Sequence, residues 1–411
     1  MVGALLFPLL AAAVNPNSIN DGRIRSLSIT NPYDFMASPV VRLGTDDRLR
    51  INFDIMGEDR EYLRYRLVHC NADWQPSRLL EPEYLDGFNE SEVEDYGYSS
   101  NTYAHYVNYN IEIPNPEMKP LVSGNYLLQV YPEDAPGEIL FQTGFYVTEN
   151  AVSLSACAIS RTDYGFNTEY QQVEAEADVA GAGMINPWQD LILNVVQNNV
   201  PQTLKTTVRP LRVEGERVYY AHDPSLIFPA GNEYRRFETV RADYPGMNVD
   251  SVGFNGRLHQ AWLTPDLPRC GKGYVYDHTS HGRFKIDEYN STDPDLGADY
   301  IVTSFTLTMP ELRGREVYVD GGFNSGLYDR RNLMRYDEAE SAYTAEIPLK
   351  QGSYNYRYVV VENGGDPNAT PLEGNHYETA NEYLVMLYLR LPGSRADRLI
   401  GVRQIGSGGC E

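Results

Sequence analysis

The stretch LRYRLVHCNADWQPS, Leu63 to Ser77, brings a His, a Cys, an Asn, an Asp and a Trp within a few positions. A thiol beside an imidazole is the combination used in nucleophilic catalysis, where the imidazole takes the proton of the attacking sulfur. Along a β-strand, however, neighbouring side chains point to opposite faces. Leu63, Tyr65, Leu67 and His69 then share one side and Arg64, Arg66, Val68 and Cys70 the other, so His69 and Cys70 cannot form a dyad. Asn71 and Asp73 have short polar side chains that bond to a turn backbone, and Trp74 can fold back over the end of a core. The expectation is an architectural strand end, with Cys70 acting as a small buried hydrophobe.

The other candidates are thinner. His278-Thr279-Ser280-His281 has the i, i+3 spacing of some metal sites but no Glu partner and no helix to carry it, so it reads as a polar loop. Asp293, Asp295 and Asp299 around Gly297 echo a calcium loop without its closing bidentate Glu, and read as a solvated linker. No Gly-x-Ser-x-Gly elbow, phosphate loop or dinucleotide fingerprint occurs. No catalytic, cofactor-binding or metal-binding residue is assigned, and the chain is expected not to be an enzyme. The paired carboxylates of a glycosidase stay open as an alternative, because such pairs meet only in the fold.

The elements that must carry these residues read as strands. Tyr is counted at 32 against Phe 13 and Trp 3, with Gly 34 and Pro 25 spread between short apolar runs, a composition suited to pleated surfaces and turns. A Gly, a polar residue or two and then a Tyr recur at SGNYLLQVY, AGNEYRRFETV and GSYNYRYVVV. In the last of these Tyr354, Tyr356, Tyr358 and Val360 share one face. The predicted fold class is all-β, with tandem immunoglobulin-like or E-set sandwiches. The divisions are residues 1–22 as a secretory signal peptide, 23–148 and 149–299 as two β domains, 300–405 as an E-set-like sandwich and 406–411 as a flexible tail. The acidic run Asp287 to Asp299 is the linker before the last domain.

The leader reading rests on the apolar run Leu5 to Leu10 followed by Ala11-Ala12-Ala13, an A-x-A-like cleavage pattern. No later stretch is long enough to cross a bilayer as a helix. Four cysteines, Cys70, Cys157, Cys270 and Cys410, permit disulfides in an exported chain, and the sequence does not choose among the pairings. A formal net charge of −23 disfavours nucleic acid and anionic membrane surfaces as partners.

Two resemblances follow from longer stretches. The segment VYVDGGFNSGLYDRRNLMRYDEAESAYTAEIPLKQGSYNYRYVVVE resembles the E-set sandwiches that include glycogen- and starch-binding modules, but Gly322-Phe323-Asn324-Ser325-Gly326 lacks the Trp that stacks on sugar there. Across nearly the whole chain, YRLVHCNADWQPS, INPWQDLILNVVQNN, PAGNEYRRFETV, ADYIVTSFTL and EGNHYETANEYLVMLYLR resemble, in the same order, the type IX secretion system plug protein family. That resemblance implies a non-catalytic periplasmic protein, associated with the outer membrane through its partner. It would bind and seal the periplasmic mouth of the translocon barrel, without a cofactor. A glycan-binding protein using the last domain is the alternative, and the partner-binding residues are unknown.

Overall fold

The computed structural model of the chain describes residues 15–408 apart from positions 184 and 363. Strands dominate, arranged as three two-sheet units. In the first, Phe141–Thr148, Gly124–Pro132 and Leu63–Cys70 form the centre of one sheet, and Leu49–Met56 and Tyr106–Ile113 the centre of the other. Ile51, Phe53, Leu67, Tyr126 and Leu128 fill the space between them. Alternation explains the assignment: Leu63, Tyr65 and Leu67 are buried on one face while Arg64 and Arg66 are half-exposed on the other.

The second and third units do not follow the division at residue 299. Leu191–Gln197 pairs with Glu382–Leu389, which pairs with Arg398–Gly406, so strands from both ends of the remaining chain close one sheet. The third unit is set between them, from Arg235–Glu238 to Gly352–Val361, and Tyr300–Thr308 lies inside its second sheet beside His259–Leu263 and Ala342–Lys350. The reason is burial: every residue of Leu191–Gln197 and of Glu382–Leu389 is buried, so each needs a neighbour on both edges, and each supplies one to the other.

The expected linker and termini also differ. Asp299 is buried, and its carboxylate accepts from the backbone N–H groups of Tyr103 and Ala104, both at 2.9 Å. Asp295 pairs with Arg50, and the acidic run is therefore docked on the first unit rather than solvated. Residues 1–14 of the expected leader lie outside the described residues, but Ser18–Ile19 pairs with Phe141–Gln142, so residues 15–22 belong to the fold. At the other end Gly406 closes a strand and Ser407 donates to Thr379 O at 2.9 Å, so residues 406 and 407 of the expected flexible tail belong to the fold, and residues 409–411 lie outside the described residues. Cys410 lies outside the described residues.

At two of its three occurrences the Gly before a Tyr has a steric origin, while Gly231 has open space beside it and a φ of +66°. Gly124 has φ +148°, and a Cβ there would sit 2.4 Å from His69 Nε2; at Gly352 a Cβ would sit 2.2 Å from the Lys285 carbonyl oxygen. Both positions require that no side chain be present. The tyrosines that follow are core: Tyr126, Tyr354 and Tyr358 are among the largest fully buried side chains.

Candidate interaction surface

The Leu63–Ser77 stretch is architectural, and its role is larger than closing one core. His69 is buried and donates from Nε2 to Ser123 O at 3.0 Å, leaving Nδ1 without a partner. Burial pushes its pKa below the usual imidazole value and pushes the Cys70 thiol up to about 12, the opposite of what a nucleophile needs. Beyond the strand, Cys70, Ala72 and Trp74 pack with Tyr146 against Ile192, Val196, Leu384, Met386 and Tyr388 of the second unit. Hydrogen bonds frame this contact: Ala72 N–H to Asp397 (3.0 Å), Asn194 to Ala72 O (2.8 Å) and the Tyr388 hydroxyl to Asn125 (2.6 Å). Asn71 and Ala72 are junction residues, a role that strand periodicity alone does not encode.

A second junction joins the first and third units through charge. Lys350 Nζ lies 2.7 Å from Asp54 Oδ2, with side-chain exposures of 1% and 0%. The Tyr300 hydroxyl donates to the same oxygen at 2.6 Å and Asn108 to the other at 2.7 Å. The ammonium also sits 4.0 Å from the centre of the Tyr106 ring. A buried ion pair is tolerated where further hydrogen bonds satisfy both partners, as here.

The remaining sequence candidates are accounted for by packing. Burial lowers the His281 pKa and leaves its Nδ1 without a partner, while His278 is exposed; among the described residues no group of His, Cys, Asp or Glu could hold a metal. Cys157 is disulfide-bonded, Cys70 is free and buried, and Cys270 is free and exposed. The loop Gly322–Gly326 faces the other units: Gly326 O accepts from Asn15 (3.1 Å) and Gln202 (2.6 Å), and Ser325 O accepts from Asn17 (3.2 Å). Phe323, the aromatic ring of this loop, is half-buried edge-on to Tyr354 at 5.9 Å. In the third unit Glu373 is held between Arg235 (3.0 Å) and Arg269 (2.7 Å), while Asp266 accepts the hydroxyls of Tyr356 and Tyr358. Burial alone would raise the Glu373 pKa, yet the two guanidiniums hold it below the usual carboxylate value. These carboxylates are spent on internal bonds.

Several aromatic rings remain open to solvent among the charged groups of the surface. At the rim of the first–third junction Tyr103 stacks obliquely on Phe254, centroids 4.6 Å apart, and His259 lies 5.3 Å from Tyr103 and 5.1 Å from Phe254. Tyr103 and Phe254 are both exposed, and the Tyr103 backbone is fixed by Asp299. On the first unit Arg60 lies over the rings of Tyr62 (4.5 Å) and Tyr96 (4.1 Å) and pairs with Glu92. Aromatic rings held on a rigid frame are the side chains that anchor protein interfaces at low entropic cost.

The profile described as the first domain of the type 9 secretion system plug protein matches residues 24–149. The chain belongs to the type 9 secretion system plug protein family. Beyond this first domain the plug-family chain is similar over its length to a hypothetical protein from Parabacteroides merdae of known crystal structure. The two are 36% identical, with a TM-score of 0.92, covering 95% of this chain and 99% of that one. An alkylpurine DNA glycosylase from Pseudomonas fluorescens (13% identity, 30% of each chain, TM-score 0.17) and a serine-rich repeat adhesin from Streptococcus agalactiae (8% identity, 98% of this chain and 100% of that one, TM-score 0.14) are too distant in shape to carry an argument. No curated protein matches the chain.

Proposed function

We propose that this plug-family protein is a non-catalytic periplasmic plug that binds the type 9 translocon barrel and seals its periplasmic mouth. The observation that carries the reading is the plug-domain match over residues 24–149, the unit that both junctions grip. A seal must resist deformation, and the apolar junction with the second unit and the buried Asp54–Lys350 pair with the third favour one stiff body. The exposed rings around Tyr103 and Phe254 suit a partner surface that must bind and release. Its acidic balance favours a protein partner over lipid headgroups. Among the described residues no helix is long and apolar enough to cross a membrane, so outer-membrane association would come through the barrel.

The test is a mild-detergent pull-down of the tagged protein from its native envelope, with the co-purifying proteins weighed. A very large outer-membrane barrel recovered in near-equal amount is the expected result. Recovery of the protein alone overturns the proposal. Wild-type and Tyr103→Ala/Phe254→Ala proteins compared in the same experiment localise the contact, with loss of the barrel expected for the double variant.

A further inference from the structure

Between the strand Ile24–Thr30 of the first unit and the third unit lies a cavity of about 190 Å³. Its walls are apolar, with Leu27, Phe284, Ile347 and Tyr354 among them, but Arg25, Arg330 and Arg331 also line it. Three guanidiniums around one cavity stand out in a chain of net charge −23. Arg331 is paired with Asp329, and Asp21 with Arg23. The carboxylates nearest Arg25 are thus already engaged, and Arg25 bonds only the carbonyl oxygens of Gly22 and Ile24, both through Nη1. Its Nε and Nη2 have no partner among the described residues, and Arg330, exposed at the rim, makes no ion pair. Glu346 is the one carboxylate lining the cavity, and it too is exposed and unpaired.

The backbone is bent to place Arg25 there. The register of Ile24–Thr30 against Leu49–Met56 shifts between Arg25 and Ser28, and Ser26 has φ +52°. A bulge of this kind re-aims a side chain out of the ladder, and a positive φ at Ser persists only where the surroundings enforce it. Burial lowers the Arg25 pKa and the nearby Arg331 charge acts the same way, and the charges of Asp21 and Asp329, engaged elsewhere, only partly offset this. An anion would relieve this, and a planar carboxylate matches the two free N–H directions of the fork.

We propose that this cavity binds a carboxylate carried on a small apolar body, the carboxylate between Arg25 and Arg330 and the body against Phe284 and Ile347. The volume suits one ring or branched side chain; an engineered cavity of about 150 Å³ holds a benzene. A free aryl carboxylic acid and the C-terminal residue of a polypeptide present the same chemistry. The inference does not rest on the plug reading and stands or falls separately from it.

Calorimetric titration of the full chain tests it with 3-phenylpropionate, with acetyl-Ala-Phe bearing a free carboxylate, with the amide of that dipeptide and with inorganic phosphate. Saturable binding of at least one carboxylate, with the amide and phosphate at least about tenfold weaker, is expected. Tighter binding of phenylpropionate identifies the free acid as the source, and tighter binding of the dipeptide a chain terminus. Arg25→Met, which keeps the apolar stem, should weaken binding about tenfold or more, and Arg330→Gln, at the exposed rim where folding is not at stake, several-fold. No saturable binding, equal binding of acid and amide, equal binding of phosphate, or undiminished binding by Arg330→Gln overturns the proposal.

Discussion

The two junctions of the first unit solve one problem by opposite chemistry. Against the second unit, Trp74, Tyr146, Met386 and Tyr388 bury an apolar contact, and the one charged acceptor at its edge, Asp397, is paired with Arg390. Against the third, the centre is an ammonium and a carboxylate cut off from water, with the Tyr300 hydroxyl, the Tyr106 ring and an asparagine around them. An apolar contact weakens gradually as it is trimmed, whereas a buried charge pair fails when one partner is removed. The charged junction is the more selective of the two, because only a correctly docked third unit brings Lys350 to Asp54.

Removing one charge should break the comparison most visibly. Lys350→Met leaves Asp54 buried and unpaired and is expected to cost roughly 3–5 kcal/mol in denaturant unfolding, with faster amide exchange in Tyr300–Thr308. Adding Asp54→Leu should recover most of the loss; a single variant within about 0.5 kcal/mol of the parent would show that the pair does not hold this junction. In the apolar junction Trp74→Ala should cost about 3 kcal/mol, the low end for such a truncation, because one side of the indole already borders a cavity. No polar second-site change should rescue it.

A smaller effect comes from pH. Burial depresses the His69 pKa, so the unfolded chain takes up a proton that the folded one refuses. This contribution is complete above the unfolded imidazole value of about 6.5 and is lost as pH falls below it. Melting curves of the parent between neutral and mildly acidic pH should show this slope, and His69→Leu should reduce it, the buried His281 supplying the remainder. The smallest change is expected for Arg395→Ala, whose pair with Glu83 lies on the exposed edge of the apolar junction. A loss under about 1 kcal/mol, reduced further by salt, would match its position.

Much of the strand content was legible in the sequence, and the reasons are local. Alternation in Leu63–Cys70 and in Gly352–Val361 fixes the buried face of each strand without reference to any partner. The all-β class follows from the same signal. What was not legible is who pairs with whom. Leu191–Gln197 and Glu382–Leu389 are buried on both faces, so no alternation marks a face or names a neighbour, and the third unit set between them reads as a terminal one. Asp54 and Lys350 are 296 residues apart, and each alone looks like an ordinary surface charge. The acidic run near Asp299 misleads for the same reason: its composition suggests a solvated linker, while its bonds to Tyr103 and Ala104 depend on the fold. The exposed rings at Tyr103 and Phe254 meet across two units and carry no shared sequence signal.

The interrupted second unit sets an order in time. Gln197 and Tyr383 touch although they lie 186 residues apart, so half of this sheet must wait, unpaired, while the whole third unit is synthesised. Closing so long a loop is slow, and it becomes easier once the intervening segment has folded and drawn its own ends together. The first unit, with contacts nearer in sequence, can form early and offer Trp74 and Asn125 as a template on which the late strand Glu382–Leu389 completes the molecule.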